Sequence, residues 1–379
     1  MGGVSDKTTP DPVTNRDRLE SLDVFRGLTI AAMILVSTPG TWSAVYAPLD
    51  HAAWHGWTPT DLVFPFLLFA MGAAVPFAIA RRRAGPRSIR RHVFRRAAIL
   101  FALGLLLNAI EAPPPLGLAT FRLPGVLQRI ALVYLAVAWL TERESLRAQI
   151  VTAAAALVGY EIAMTFVPVP GVGAGVLTPS GNLASFLDRA LLGRHLLNAG
   201  WDPEGILSTA PAVATALGGV FAGDFLKDAR EHHRALRLFA FGALATVGGW
   251  AWGLFFPINK NLWSSSFAVF SAGLAAQLLA ICYWIVDVGG RRAWALPFVA
   301  LGRNPLATYF LSVGFDAVLS RWSVDDLSLK AELYRRGFAS WLRPCCGAEA
   351  ASLAYAIAYV AVWAIVATVM YRRRLFIGI

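Results

Sequence analysis

Charge is scarce in this chain. Asp, Glu, Lys and Arg make up 15% of its 379 residues, against about a quarter in soluble domains. Lysine is rarer still: of 34 basic residues only Lys7, Lys227, Lys260 and Lys330 are not Arg. With 57% hydrophobic residues the chain cannot cover a water-facing surface, which excludes a soluble globular enzyme. Cysteine is limited to Cys282, Cys345 and Cys346, which excludes a disulfide scaffold. Their spacing fits neither metal nor redox chemistry, and the adjacent pair reads as inert thiols. Also missing are a phosphate-cradling glycine loop, paired metal-ligand spacing, a nucleophile elbow and a dinucleotide fingerprint. No metal is expected, and any cofactor must be held by spans and loops. No internal repeat or separate soluble domain is evident.

Apolar runs are abundant. Ten lie near 24–38, 62–80, 94–110, 125–140, 148–166, 205–223, 236–256, 263–285, 294–319 and 351–371. The fold class is therefore all-α: a polytopic integral membrane bundle of about ten helices, or eleven if 294–319 breaks at Gly302-Arg303-Asn304-Pro305. Residues 1–20 read as a disordered cytoplasmic tail without a cleaved signal peptide, and 21–379 as one transmembrane domain. The net charge of +11 gathers in particular loops, eight cations in 81–96 and four in 227–237. That is the positive-inside pattern rather than a nucleic-acid surface, so both termini are expected in the cytoplasm and no nucleic-acid partner is expected. One loop disagrees: 321–350 carries five cations on the side where few belong.

Between Gly27 and Ala80 there is no Lys or Arg, and the middle of that stretch reads LDHAAWHGWTPTDLVF. A cation-free loop with a titratable ring, followed by a dense basic loop, reads as an outward-facing site between membrane helices. His51 has Asp50 beside it, a carboxylate suited to fixing the ring tautomer, and His55 follows. Thr58-Pro59-Thr60-Asp61 reads as a helix start, with Asp61 either capping or catalytic. Asp202-Pro203-Glu204-Gly205 reads as a second cap.

Polar residues inside apolar spans mark helix–helix contacts or a path; here they are Asn108, Gln128, Arg129, Glu161, Gln277, Asp287, Asn304 and Asp316. Arg129 needs a carboxylate, a phosphate or water. In PINKNLW, Lys260 stands between Asn259 and Asn261 at a span end, where an interfacial anchor is the plain alternative.

The ordered segments SLDVFRGLTIAAMILV, HAAWHGWTPTDLVFPFLLF, GVLQRIALVYLAVA, DPEGILST, PINKNLWSSSFAV, GRNPLATYF and YRRRLF resemble the heparan-alpha-glucosaminide N-acetyltransferase family and its bacterial relatives over roughly 16–379. The resemblance implies a transmembrane transfer of acetyl from cytosolic acetyl-CoA, as co-substrate, to an amino sugar of glucosamine type on the far side. It also implies membrane lipids as partners and allows a homodimer. The family histidine of the HA-x-W motif falls on His51, as general base or acetyl carrier. A family Asn at the end of the first span is replaced by Ser37. Arg129 and Lys260, with the basic segment 81–96, are the cations available to CoA phosphates. Ser37, Asn259, Asn261 and Asn304 are donors available to the acetyl oxygen. Trp54, His55 and Trp57 are available to the acceptor sugar, with belt anchoring an equal reading of the tryptophans. The Arg bias suits a GC-rich bacterial genome, hence a bacterial plasma (inner) membrane. The rival readings are a sugar transporter, a non-catalytic family relative and an O-acetyltransferase of a cell-surface polysaccharide.

Overall fold

Short polar residues mark where helices begin. Ser145, Asn182, Ser264 and Ser328 each accept a hydrogen bond from a backbone N–H three residues on, satisfying one of the donors that a helix start leaves open. The computed structural model describes residues 19–83, 88–112, 117–227, 231–324 and 327–377. The amino-terminal tail, through residue 18, and residues 84–87 of the basic segment lie outside the described residues.

The helices run α1 (Glu20–Ser37), α2 (Pro59–Arg83), α3 (Ile89–Glu111), α4 (Val126–Arg143), α5 (Leu146–Phe166), α6 (Leu183–Leu192), α7 (Thr209–Leu226), α8 (His232–Trp252) and α9 (Ser265–Cys282). A π-helical stretch, Tyr283–Val288, extends α9. Then follow α10 (Leu296–Arg303), α11 (Pro305–Arg321), α12 (Leu329–Tyr334), α13 (Ser340–Cys346) and α14 (Ala348–Arg372). Between α11 and α12 the strands β1 (Ser323–Val324) and β2 (Leu327–Ser328) pair antiparallel, Ser323 opposite Ser328.

Seven of these helices, α2, α3, α5, α7, α8, α9 with its extension, and α14, are long and apolar enough to cross a membrane. The other expected spans fall short for physical reasons. Glu20, Asp23 and Arg26 charge α1, and Arg129, Glu142 and Arg143 charge α4. With 17 residues, α11 is too short to qualify. It is short because Asn304-Pro305 breaks the expected 294–319 span: proline has no N–H to continue a helical ladder.

Burial separates centre from rim. In α2, 67% of the spanning window is buried and in α7 61%, against 17% in α5 and 22% in α8 and α14. The central pair meets along a seam of small residues, where a Cβ on Gly72, Gly219 or Gly223 would strike the carbonyl oxygen of Ala216, Phe69 or Ala73. Running from Asp61 to Arg81, α2 separates a histidine end from an arginine end by about 30 Å at 1.5 Å per residue.

The arginine end is fastened by side chains. Asp287 accepts the N–H groups of Glu20 and Ser21 at 3.2 and 3.1 Å, Arg292 pairs with Glu20 at 3.2 Å, and Arg303 pairs with Asp23 at 3.1 Å. Asn304 donates to Leu375 O and accepts from Ile377 N–H, both at 2.9 Å. At the histidine end, the cations of 321–350 prove to be tied down. Lys330 pairs with Asp316 at 2.9 Å, Arg335 and Arg336 share Glu332, and Arg321 bonds Ala112 O. These pairings account for four of the five cations that looked misplaced in the sequence.

Gly219→Val should overpack the α2–α7 seam and cost about 1–3 kcal/mol, read as a lowered Tm of the detergent-solubilised protein.

Candidate functional site

The site is built on the first turn of α2. The Asp61 N–H donates to Thr58 O at 3.0 Å, while Asp61 Oδ2 accepts from Thr58 N at 3.0 Å and Thr58 Oγ1 at 3.2 Å. Such reciprocal bonds close a helix start. Oδ2 also accepts the Ala52 N–H at 3.1 Å. The other oxygen, Oδ1, lies 2.7 Å from His51 Nδ1 and 3.8 Å from Lys260 Nζ. Asp61 thus caps the helix with one oxygen and holds the imidazole with the other. The carboxylate is 1% exposed and ringed by donors, so it acts as an acceptor only. Nδ1 therefore carries the ring proton and Nε2 keeps its lone pair. The His51 side chain remains 49% exposed. Asp50 does not face the ring: its Oδ1 accepts the backbone N–H of His51 at 2.8 Å. The partner of the imidazole is Asp61, ten residues away in sequence.

Lys260 is brought in by the loop between α8 and α9. Gly56 N–H donates to Ile258 O at 2.8 Å, stitching that loop to the histidine loop. Lys260 Nζ then lies 3.2 Å from His51 Nδ1 and 3.4 Å from Nε2, beside the ring rather than in line with one nitrogen. Burial pushes the Lys260 ammonium below the ordinary amine range, against the pull of Glu204 and Asp61. Buried Asn259 shapes the turn: its N–H donates to Ser264 Oγ at 3.0 Å, its Oδ1 accepts from Leu262 N–H at 2.9 Å, and its Nδ2 lies 3.4 Å from His55 Nδ1. Asn261 is half-buried in the same turn. Trp263, which ends it, holds a left-handed φ of 50° that non-glycine residues rarely adopt.

The remaining expected site residues disperse. Trp54 is a clamp, its Nε1–H donating to Leu177 O at 2.7 Å and its ring edge-on to Trp201 at 5.2 Å. Trp57 lies exposed against Phe270. Ser37 lines a separate cavity of about 570 Å³ with Trp42, Glu111, Tyr309 and Asp316. Asn304 sits at the arginine end, fastened to the carboxyl-terminal residues.

Arg129 is fully buried, its Nη2 donating to Gly205 O at 3.0 Å and Ser208 Oγ at 2.5 Å, with its guanidinium over the Trp263 ring. Among the described residues no carboxylate pairs with it. The nearby acids are taken by Arg122, which reaches Asp202 at 2.8 Å and Glu204 at 2.6 Å and is raised in pKa by them despite burial. Arg122 was not singled out from the sequence, where Asp202 and Glu204 read as a cap; their helix starts only at Thr209. Several other polar residues of the spans find partners within the fold. Examples are Glu161 with Trp252 Nε1–H and Gln277 with Thr246, both at 2.8 Å.

A cavity of about 270 Å³ opens at the opposite end, lined by Arg26, Arg81 and Arg96 and by α2 residues from Leu67 to Arg81. Its inner limit, Leu67, is six residues from Asp61, about 9 Å along the helix. Tyr309 lines both this cavity and the one holding Ser37.

Near the histidine end, Asp188 on α6 accepts Ile206 N–H at 2.8 Å, and burial, aided by the Asp202 charge, raises it to about 6. A carboxylate raised above its ordinary 3.8 favours folding when protonated, so its contribution is full below that pH and is lost as pH rises through 6. Asp188→Asn should flatten the dependence of Tm on pH between about 4 and 6, measured against the parent protein.

Residues 18–106 match a family described as a domain of unknown function, DUF5009. The chain is 28% identical to human heparan-alpha-glucosaminide N-acetyltransferase over 418 aligned residues, covering 95% of this chain and 59% of the human protein. Against the mouse protein of the same name the identity is 29%, covering 96% of this chain and 61% of the relative. The chain thus spans about three fifths of the length of the curated relatives it matches. By this likeness, and by its bundle of apolar helices, the chain is a multi-pass membrane protein distantly related to the heparan-alpha-glucosaminide N-acetyltransferases.

Proposed function

We propose that this protein is a membrane acetyltransferase that takes acetyl from acetyl-CoA at the arginine end and delivers it to the amine of an amino sugar at the histidine end. The observation that carries the reading is the 2.7 Å contact between His51 Nδ1 and buried Asp61. It leaves Nε2 as a lone pair fixed in direction and half open to solvent, which is what removing a proton from an attacking amine requires. Thioester aminolysis needs a neutral amine, and an imidazole lone pair can accept the proton that the amine gives up.

The arginine-end cavity supports the donor side. Arg26, Arg81 and Arg96 line it beside apolar α1, α2 and α4 residues, a composition suited to phosphates at a mouth and a pantetheine arm within. These cations, rather than Arg129 and Lys260, are the better match for CoA phosphates, because the latter two stand with His51 and Glu204 at the other end. With the arginine end in the cytoplasm, α1, α4 and α11 cross together with the seven apolar helices. That gives ten crossings and leaves α10 as a short re-entrant segment. This orientation agrees with the positive-inside rule and puts the acceptor outside a bacterial plasma membrane. A sugar transporter is less well supported, since no internal repeat of the transporter kind is evident in the sequence.

The purified protein, given acetyl-CoA and glucosamine, should release free thiol and form N-acetylglucosamine. His51→Ala should reduce that rate by about 10²–10⁴-fold. Thiol release that is unchanged in His51→Ala, or absent from the parent protein, would overturn the reading. Arg96→Ala should raise KM for acetyl-CoA while leaving KM for the amine unaltered, read from initial rates with each substrate varied.

A further inference from the structure

We propose that Lys260 is the general acid of the transfer, protonating the departing thiol sulfur, and that His51 then returns a proton to it across their contact. The inference rests on the acetyltransferase reading and adds a second catalytic group to it.

The first argument is geometric. Because Nδ1 is committed to Asp61, the acetyl carbon and the attacking nitrogen must meet near Nε2. Lys260 Nζ stands 3.4 Å from that nitrogen, so a sulfur leaving the same carbon is within its reach. Nζ also contacts Nδ1 at 3.2 Å, where no lone pair is free, so its position beside the ring is not explained by a hydrogen bond to the imidazole alone. A side chain serving only to neutralise Asp61 would sit closer than 3.8 Å to Oδ1.

The second argument is chemical. In a chain with 30 Arg and four Lys, the cation on His51 is a lysine. Guanidinium holds its proton too tightly to give it up, whereas an ammonium can part with one. The groups facing Nζ are His51 and Asp61, Glu204 from the loop before α7, and Arg129 from α4; Asn259, next to Lys260, turns its carboxamide towards His55. Burial of Nζ and the Arg129 charge both favour proton release, while Glu204 and Asp61 hold the ammonium charged until the sulfur needs it.

The step balances. His51 Nε2 takes a proton from the amine nitrogen as that nitrogen bonds to the acetyl carbon. The carbon–sulfur bond breaks with its electron pair on sulfur, and Lys260 Nζ gives sulfur a proton, leaving a free thiol. Lys260 is then a neutral amine and His51 an imidazolium. One proton passes from Nε2 to Nζ over the 3.4 Å contact and restores both. A thioester and a neutral amine are consumed, and an amide and a thiol are formed.

The test compares Lys260→Met and Lys260→Arg with the parent full-length protein in detergent micelles, using acetyl-CoA and glucosamine. Both substitutions should lower kcat by about 10²-fold or more with KM for acetyl-CoA within about threefold. The fall of kcat at alkaline pH in the parent should be absent from the residual activity of either variant. A raised KM for acetyl-CoA with kcat retained would make Lys260 a donor-binding residue. Retained kcat in Lys260→Arg would reduce its role to placing a charge. Persistence of the alkaline limb would assign that limb to another group. Each of these results overturns the proposal. If Lys260→Met fails to fold, Lys260→Arg, which keeps the charge beside Asp61, decides it alone. A parent protein that releases no thiol sinks the acetyltransferase reading instead.

Discussion

A single buried carboxylate organises the histidine end. Asp61 lies at the start of a largely buried helix, where an anion is favoured by the helix dipole and by unsatisfied N–H groups. An isolated carboxylate there would be too costly to bury, and its two oxygens are satisfied by different parts of the chain. Oδ2 gathers Thr58 and Ala52 from the histidine loop, and Oδ1 gathers His51 and, more distantly, Lys260 from a loop some two hundred residues on. Helix start and imidazole tautomer thus follow from one satisfied anion.

Much of this was legible in the sequence because it depends on local chemistry. The cation-free histidine loop, the helix start at Thr58-Pro59-Thr60-Asp61 and the break at Asn304-Pro305 follow from residue types at short spacing. Pairings across the chain were not legible. Asp50 stood next to His51 in sequence and looked like its partner, but a residue adjacent on an extended backbone points its side chain elsewhere, and Asp50 bonds the backbone instead. Likewise Asp202 and Glu204 carried a capping pattern, while the cation that claims them, Arg122, is about eighty residues earlier. The number of spans was partly obscured for a related reason. Charges on α1 and α4 are paired or bonded within the fold, as Asp23 is with Arg303, and hydropathy counts them as if they were not.

The two candidate sites differ in the cation that each holds. Arg26, Arg81 and Arg96 line the largely apolar cavity at one end, where permanent charge and forked donors suit phosphate. At the other, Lys260 lies beside the His51 ring. Between them, Tyr309 forms a wall common to the two larger cavities next to α11. Of the partners open to Arg129, a carboxylate is not found among the described residues, since Arg122 pairs with the nearby Asp202 and Glu204. Arg129 is left to tie α4 to the turn before α7 through Gly205 and Ser208.

Asn304 has a bearing on how the protein is made. Its carboxamide joins the break between α10 and α11 to Leu375 and Ile377, about seventy residues later in synthesis. Until those residues leave the ribosome, the Asn304 carboxamide lacks the two partners it has in the finished fold. Assembly of the bundle in the membrane therefore has a late fastening step: Leu375 and Ile377 act as a latch, closing a joint laid down long before.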